Sequence, residues 1–276
     1  MSPTIAAVQF EAGPDASPEE NLERAIDELR ETAADADVAC LPEYFATPYF
    51  PAEQDPDNFE LAVRDDSEFV DRIRETAADL DTAIVAPVFE EGYPGGRNYN
   101  TALIIDDGGE LTGKYRKLHP FQRPGYNETY YFSPGDLGAP VFDVGGLTIG
   151  VMICFDRHFP EIARVQALRG ADVVFVPTCS FGEENRDEVW VKELTGIAVS
   201  SSVYVVGVNR AGTEGGQPHF GPSTVIDPRG EELGTLGTEP DTLTTDISPS
   251  KVTNVRRTTK HLNDIRRELL PDLESI

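Results

Sequence analysis

The chain has 276 residues and is strongly acidic: 49 aspartates and glutamates oppose 23 lysines and arginines, giving a formal net charge of −26. Nucleic-acid binding needs basic patches, and a membrane helix needs about 18 consecutive apolar residues, so both classes are disfavoured. The first residues lack the basic and apolar segments of a secretory signal. We therefore expect a cytoplasmic protein that binds neither nucleic acid nor a membrane.

The cysteines and histidines argue against a disulfide framework and a metal site. Cys40, Cys154 and Cys179 are odd in number and widely spaced, and the four histidines are scattered along the chain. Neither pattern has the spacing of a zinc site or of paired half-cystines. We expect reduced thiols and no metal or other cofactor.

Lysine is scarce although acidic residues are abundant. Repulsion among the negative charges would be screened in concentrated salt and would destabilise the folded chain in dilute buffer. This composition favours the hypothesis that the protein is halophilic.

Apolar periodicity and helix-start signals predict alternating strands and helices in the first part of the chain. Ser17 and Glu20 match a capping box, and Pro18 suits the first helical position. The expected elements are a strand over 4–10, a helix from 18, a strand over 38–41, a helix over 67–80, a strand over 82–88 and a hairpin over 99–116.

A long loop over 117–140 follows, and a loop of that length inside a compact domain is usually functional. The alternation of strands and helices then returns. The expected elements are a hairpin over 141–153, a helix over 160–169, a strand over 173–176, a helix over 187–201, a strand over 203–208, a hairpin turning at 227–230, a strand over 242–247 and a charged tail with a helix near 260–270.

Both halves contain near-continuous apolar strands, which indicates sheets that are covered on both faces. Two such sheets, each with helices on its outer face, would form a four-layer α-β-β-α sandwich in a single α/β domain. We assign residues 1–250 to this domain and residues 251–276 to a C-terminal tail.

Cys154 follows an apolar, β-branched run and precedes a helix start marked by Pro160 and Glu161. A thiol at such a turn would be partly exposed, close to free backbone N–H groups and in a positive potential. These conditions lower the pKa of a cysteine and supply donors to an oxyanion. A packed structural thiol fits this stretch equally well, because free cysteine is often buried.

Two charged residues stand at the ends of other strands: Glu43 after the strand over 38–41, and Lys117 after the hairpin. Sites in sheets of this class gather at the C-terminal ends of strands. Taken alone, each residue would be an ordinary surface charge. Together with Cys154 they form a nucleophile set, in which the carboxylate takes the thiol proton and the ammonium stabilises the oxyanion.

Short motifs along nearly the whole chain resemble those of the nitrilase superfamily of carbon–nitrogen hydrolases, and they occur in the same order. The motifs are Leu41-Pro42-Glu43, Asn100-Thr101-Ala102, Lys114-Tyr115-Arg116-Lys117, Pro134-Gly135-Asp136, Gly150 to Asp156 with Pro160-Glu161, Gly170-Ala171-Asp172 and Val208-Asn209-Arg210.

The resemblance implies an α-β-β-α sandwich that assembles as a homodimer or a larger oligomer, with the tail lying at a subunit interface. It implies a catalytic triad of Glu43, Lys117 and Cys154, with Glu128 as a second glutamate. An ordinary loop carboxylate is the other interpretation of Glu128. No cofactor is implied.

The implied reaction begins when Glu43 takes the proton of Cys154 and the thiolate attacks an amide, ureido or nitrile carbon. Lys117 and the backbone N–H of Phe155 stabilise the oxyanion. Protonated Glu43 assists the leaving nitrogen, and a water activated by Glu43 or Glu128 hydrolyses the thioester-type intermediate.

Arg157 and His158 follow the cysteine at a spacing that resembles the β-ureidopropionase branch. A guanidinium suits a substrate carboxylate, so an N-carbamoyl β- or α-amino acid is the leading substrate. Otherwise Arg157 pairs with an internal acid such as Asp156, Glu161 or Glu183. N-carbamoylputrescine or an ω-amide comes second, a nitrile third.

Tyr49 and Cys179 are further candidates for substrate contacts, whereas Cys40 is expected to be packed. A papain-type dyad of Cys154 with a histidine would need another fold and an orienting residue. A binding protein without catalysis is the alternative from another class, although a decayed enzyme would usually have lost a member of the triad.

Overall fold

The computed structural model describes residues 2–13, 15–92, 96–182, 186–214 and 216–266. Its helices include α1 (Pro18–Thr32), α2 (Glu68–Leu80), α3 (Glu128–Tyr131), α4 (Glu161–Leu168), α5 (Arg186–Ser201) and α6 (Pro249–Thr259), with short 3₁₀ helices at Phe50–Ala52, Pro56–Leu61 and Cys154–His158.

The strands alternate with these helices in both halves of the chain. They are β1 (Thr4–Gln9), β2 (Val38–Cys40), β3 (Ala83–Glu91), β4 (Asn98–Ile105), β5 (Leu111–Arg116), β6 (Gln122–Arg123), β7 (Tyr126–Asn127), β8 (Phe142–Val144), β9 (Leu147–Val151), β10 (Val173–Thr178), β11 (Tyr204–Asn209), β12 (Thr213–Glu214), β13 (Gln217–Pro218), β14 (Thr224–Ile226), β15 (Glu232–Thr235) and β16 (Asp241–Asp246).

Two six-stranded sheets carry the fold, in the orders β16-β1-β2-β3-β4-β5 and β15-β14-β11-β10-β9-β8. Each sheet has three parallel strands at its centre: β1, β2 and β3 in the first, and β9, β10 and β11 in the second. Antiparallel strands flank both centres. The two halves therefore have matching layouts.

Alternation along β1 shows how the layers form. Ile5 and Ala7 belong to the core cluster that also contains Phe175 of the second sheet, whereas Ala6 and Val8 pack in a second cluster with α1 and α2. Since successive strand residues face opposite sides of a sheet, both faces of β1 are buried. Helices α4 and α5 pack on the second sheet. The expected four-layer α/β sandwich is confirmed.

The start of the C-terminal tail differs from the expectation. A helix occurs at Pro249–Thr259, where Ser248 caps its N-terminus, whereas residues 260–266, the described part of the expected helix near 260–270, are not helical. Val252 and Val255 are buried, and the Arg256 guanidinium donates to the carbonyl of Ala171 at 2.6 Å. This part of the tail therefore packs on its own chain. Residues 267–276 lie outside the described part.

The segment 117–140, expected as a loop, contains the small hairpin of β6 and β7 and the single-turn helix α3. Gly125, at φ +80°, permits the tight turn between the two short strands. The periodicity of longer elements could not reveal pieces of two to four residues.

Two negative findings apply to the described residues alone. Within those ranges, no helix combines the length and the apolar character needed to cross a bilayer. In the same part of the chain, no three His, Cys, Asp or Glu side chains are grouped so that they could hold a metal ion.

Candidate active site

The backbone at Cys154 is held in a conformation that side-chain-bearing residues rarely adopt. Strand β9 ends at Val151, and Cys154 has φ +48° at the start of its 3₁₀ helix. Asp156 braces this turn, because its carboxylate accepts the Ile153 N–H at 3.2 Å and the Tyr115 hydroxyl at 2.7 Å. Strained backbone that is braced in this way is typical of functional sites.

Glu43 is completely buried and both of its oxygens are engaged. Oε1 accepts hydrogen bonds from Lys117 Nζ at 2.9 Å and from Asn100 Nδ2 at 2.7 Å. Oε2 accepts the backbone N–H of Cys179 at 2.9 Å. Since Cys179 follows β10 of the second sheet, Glu43 ties the two sheets together at their C-terminal edges.

Lys117 lies between two carboxylates with its side chain fully buried. Nζ is 2.9 Å from Glu43 Oε1 and 2.7 Å from Glu128 Oε2. Burial alone would lower the pKa of this ammonium, but Glu128 and Glu43 together raise it above its usual range. Lys117 therefore carries a fixed positive charge at the site.

Glu128 opens α3 and is buried against Lys117. Its Oε2 also accepts the Phe121 N–H at 2.7 Å. Burial raises the pKa of Glu128, Lys117 opposes that rise, and the charge of Glu43 adds to it. The structure thus brings together Glu43, Lys117 and Glu128.

Cys154 is partly exposed, and its thiol lies within the field of this network. Burial of the sulfur raises the pKa of Cys154 to about 12, Glu43 adds to the rise, and Lys117 and Arg157 oppose it. The expectation of a lowered pKa was wrong, because a 3₁₀ helix of five residues offers little compensation for desolvation. The sulfur therefore rests as a thiol and needs a base.

Phe155 lies in the first turn of the same 3₁₀ helix. The first N–H groups of a helix lack partners within that helix, so the Phe155 N–H suits the predicted oxyanion role. Tyr44, at φ +57°, is a second left-handed residue and directly follows Glu43. Its hydroxyl accepts the Asn100 amide at 3.2 Å. Strained backbone thus flanks the site from both sheets.

Arg157 and His158 converge on one acid, Glu193 of α5. Arg157 Nε is 2.8 Å from Glu193 Oε2, and His158 Nδ1 is 2.7 Å from Glu193 Oε1. Burial would raise the pKa of Glu193, but His158 and Arg157 together lower it. Arg157 therefore pairs with an internal acid, which was one of the two alternatives in the sequence analysis. The acid is Glu193 and not one of the three examples given there. Glu183, one of those three, lies outside the described residues.

The other end of the Arg157 guanidinium faces the nucleophile. Nη1 donates to the Cys154 carbonyl at 3.0 Å and lies 3.9 Å from Cys154 Sγ. The guanidinium carbon is 5.3 Å from the Trp190 ring centroid. Arg157 is thus fixed on three sides and supports the turn that presents the thiol.

A cavity of about 30 Å³ opens at Cys154, and an outer chamber of about 550 Å³ adjoins it. Tyr49 and Tyr126 line both spaces. The buried Tyr49 hydroxyl has no hydrogen-bond partner among the described residues, so it can serve a ligand. Glu214 lines the outer chamber and accepts the Tyr49 N–H at 2.6 Å.

The other two cysteines are placed as expected. Cys179 is buried, lines the small cavity and has its sulfur 4.0 Å from His219 Nδ1. Burial raises the pKa of the Cys179 thiol. Cys40 is fully buried in the core between the sheets.

Three contributors were missed as functional residues. Asn100 orients Glu43, Asp156 braces the Cys154 turn, and Glu193 holds Arg157. Asn100 lies in one of the recognised motifs, and Asp156 follows the cysteine by two residues. Glu193 lies 36 residues beyond Arg157 on another helix, and no local pattern signals that contact.

The fold and the sequence agree with known proteins. The family model described as carbon-nitrogen hydrolase matches residues 4–257. An N-carbamoylputrescine amidase of Oryza sativa subsp. japonica is 33% identical over 99% of this chain and 93% of its own. A carbon-nitrogen hydrolase structure from Helicobacter pylori G27 superposes with a TM-score of 0.92 at 26% identity, covering 99% of this chain and 98% of that one.

A further solved structure bears on the chemistry of the family. A glutamate-to-glutamine mutant of an amidase from Nesterenkonia sp. AN1 is 29% identical, has a TM-score of 0.76 and covers 96% of this chain and 97% of its own. In that protein the acetamide moiety of fluoroacetamide is covalently added at the active-site cysteine. On these matches, this chain is a carbon–nitrogen hydrolase and belongs to the nitrilase superfamily.

Proposed function

We propose that this carbon–nitrogen hydrolase cleaves an N-carbamoyl β- or α-amino acid to the amino acid, carbon dioxide and ammonia. The observation that carries the reaction is the buried network of Glu43, Lys117 and Glu128 beside the Cys154 thiol. It combines a base, a fixed cation and a nucleophile, and the nucleophile lines the small cavity.

The first step is proton transfer. Because the pKa of Cys154 is raised to about 12, few thiolates exist at neutral pH. Glu43, held at both oxygens, accepts the thiol proton as sulfur attacks the ureido carbon. General base catalysis of this kind contributes about 10²–10⁴-fold to a rate.

Attack creates an oxyanion and then a leaving nitrogen. Lys117 Nζ and the Phe155 N–H stabilise the negative oxygen. The carbon–nitrogen bond then breaks, and the departing amine or ammonia takes the proton that Glu43 received. A carbonyl group remains bound to the cysteine sulfur.

Water completes the cycle. Glu43 or Glu128 takes a proton from a water that attacks the thioester-type carbonyl, and the sulfur recovers its proton on leaving. The raised pKa of Glu128 makes its carboxylate a stronger base than an exposed glutamate. The carbamate or carbamic acid released from a ureido substrate breaks down to carbon dioxide and the second nitrogen product.

The cations that line the cavity, beside Glu128, support a substrate with a carboxylate. Two guanidinium groups, of Arg123 and Arg157, line the cavity together with His158. Arginine matches a carboxylate with two parallel hydrogen bonds. N-carbamoylputrescine is the second candidate, because the rice relative carries that name and Glu214 lines the outer chamber. Glu214 is, however, already close to the buried Arg210, at 3.4 Å.

A substrate panel tests the proposal. Ammonia release is measured in dilute buffer and in molar KCl with N-carbamoyl-β-alanine, N-carbamoylputrescine, a simple amide and a nitrile. We expect the highest kcat/KM for the carboxylate-bearing ureido compound, no turnover by Cys154→Ala, and full activity in Cys40→Ala, whose thiol lies in the core. Preference for N-carbamoylputrescine would select the second candidate. No turnover of any compound would favour a binding protein.

We also propose that the protein acts as a homodimer or larger assembly, with residues beyond α6 at a subunit interface. Apolar side chains stay exposed on the neighbouring helices α4 and α5. They are Val165, Leu168, Val189 and Val199. Light scattering after size-exclusion chromatography should give a multiple of the 30.2 kDa chain mass, and a monomer would refute this.

The net charge of −26 supports adaptation to high salt in the cytoplasm. Screening of repulsion should raise the melting temperature between dilute buffer and molar KCl. An unchanged midpoint would contradict the halophilic proposal.

A further inference from the structure

We propose that Arg123 binds the carboxylate of the substrate and sets the preference for anionic substrates. This inference rests on the proposed function, which leaves open which of two cavity arginines performs the recognition. Three observations support this role: Arg123 lines the cavity, it has no acidic partner among the described residues, and the neighbouring described cations are already engaged.

Arg123 lies on the small hairpin that separates the two spaces. It ends β6, pairs with Tyr126 of β7 and lines the cavity that contains Cys154. The next two residues, Pro124 and Gly125, line the outer chamber. A ligand passing from the chamber to the thiol therefore moves past this guanidinium.

The Arg123 side chain packs on an aromatic ring, that of Phe121, and not against a carboxylate of the described residues. Its guanidinium carbon is 4.7 Å from the centroid of Phe121. The Phe121 ring in turn lies 4.4 Å from that of Phe155, the residue after the nucleophile. Stacking on an aromatic face orients a guanidinium without neutralising it. The positive charge is thus oriented beside the cavity, on an exposed side chain, and stays available to a ligand.

The other cations around the cavity are already matched. Lys117 is shared by two carboxylates, Arg157 is 2.8 Å from Glu193, and Arg210 donates to the carbonyl of Thr47 at 2.9 Å and lies 3.4 Å from a Glu214 oxygen. Among the residues that the structure describes, no carboxylate lies within ion-pair distance of Arg123. In a chain of net charge −26, an arginine that lines this cavity and has no ion-pair partner among the described residues is well suited to an anionic ligand.

Alanine substitutions of the two arginines should therefore affect different sets of substrates. Arg157 is a positioning residue, because it donates to the Cys154 carbonyl and its removal would loosen the nucleophile for every substrate. Arg123 would contact only substrates that carry a carboxylate. Loss of a charge-assisted hydrogen-bond pair costs about 10–100-fold in kcat/KM.

The test compares N-carbamoyl-β-alanine with n-propylurea, which has a methyl group in place of the carboxylate. Arg123→Ala should lower kcat/KM for the first about 10–100-fold more than for the second. Arg157→Ala should lower both alike. Arg123→Glu should shift preference towards N-carbamoylputrescine. Arg30→Ala, which removes an exposed arginine of α1, is the matched control and should change neither substrate.

Equal loss of both substrates in Arg123→Ala, or a selective loss in Arg157→Ala alone, would overturn the assignment. A failure of the proposed function would look different, since wild-type enzyme would then not hydrolyse N-carbamoyl-β-alanine. In that case the same variants are compared on succinamate and butyramide, which differ in the same way. Calorimetric binding of N-carbamoyl-β-alanine and n-propylurea to Cys154→Ala, with and without Arg123→Ala, needs no turnover. If Cys154→Ala with Arg123 intact bound the two ligands with equal affinity, the role of Arg123 in binding the carboxylate would also be refuted.

Discussion

The run of four residues 114–117 contributes to two ionic clusters. We propose that one of them stabilises the fold and that the other takes part in catalysis. The outer cluster comprises Lys114, Arg116, Glu90, Asp65 and Asp136. The inner cluster comprises Lys117, Glu43 and Glu128. Both contain a nearly or fully buried glutamate bonded to a lysine, so residue type alone does not separate structure from catalysis.

The clusters differ in the ratio of cations to buried carboxylates. Burial would raise the pKa of Glu90, but Arg116, Lys114 and Thr101 donate to its oxygens and together lower it. Glu128 competes with Glu43 for Lys117, and its pKa is raised by burial despite that cation. A carboxylate with surplus donors is locked as an anion, whereas one that shares a cation keeps proton affinity.

The geometry of one strand separates the two clusters. Alternate residues of a strand face opposite sides, so Lys114 and Arg116 reach Glu90 on one side. Tyr115 lies in the core between the sheets, and Lys117 continues on that same side beyond the end of β5. The alternation places Lys114 in the outer cluster and Lys117 in the inner cluster.

The largest effect should come from paired glutamine substitutions in the two clusters. Glu43→Gln removes the proton acceptor and should lower kcat by about 10²–10⁴-fold. Glu90→Gln should keep activity within about threefold of wild type, since Glu90 contacts neither Lys117 nor the thiol. Steady-state ammonia release measures both. Similar losses in the two variants would show that the clusters are not functionally distinct.

The lysines give a second, smaller contrast. Lys117→Met removes an oxyanion donor and should lower kcat by about 10²–10³-fold. Lys114→Met leaves Arg116 on Glu90 and should leave kcat nearly unchanged. Circular dichroism of both variants confirms folding. Normal turnover by folded Lys117→Met would remove this lysine from the mechanism.

The sequence pointed to Glu43, Lys117 and Cys154, and the family resemblance to Glu128, but neither indicated their electrostatics. Glu43, Lys117 and Cys154 could be found because each ends a strand or lies just beyond it, and the apolar strands that predict the sandwich are long. The pKa of Cys154 was misjudged, since burial depends on packing from both sheets. The role of Glu193 could not be predicted from the sequence, because its contact with Arg157 depends on how α5 packs against the Cys154 turn.

The raised thiol pKa can be measured directly. Thiolate absorbance near 240 nm, taken as the difference between wild type and Cys154→Ala, should show an apparent pKa well above the usual value of about 8.5. The shift follows from burial and from Glu43, so Glu43→Gln should lower the apparent pKa of Cys154. A thiolate already present at pH 7 would mean that Glu43 is not needed as the initial base.

The outer cluster should make a contribution to the free energy of unfolding that is lost in acid. The pKa of Glu90 is lower in the folded chain than in the unfolded one, so its contribution is present above the unfolded value of about 4.3. As pH falls through the folded value, Glu90 takes up a proton and that stability is lost. Glu90→Gln should therefore unfold more easily than wild type at pH 7, by about 1–3 kcal/mol. The difference between the two proteins should shrink as the pH falls below 4, as denaturant titrations at each pH will show. A constant difference would mean that the Glu90 charge contributes nothing and that its neighbours stabilise the strand by packing.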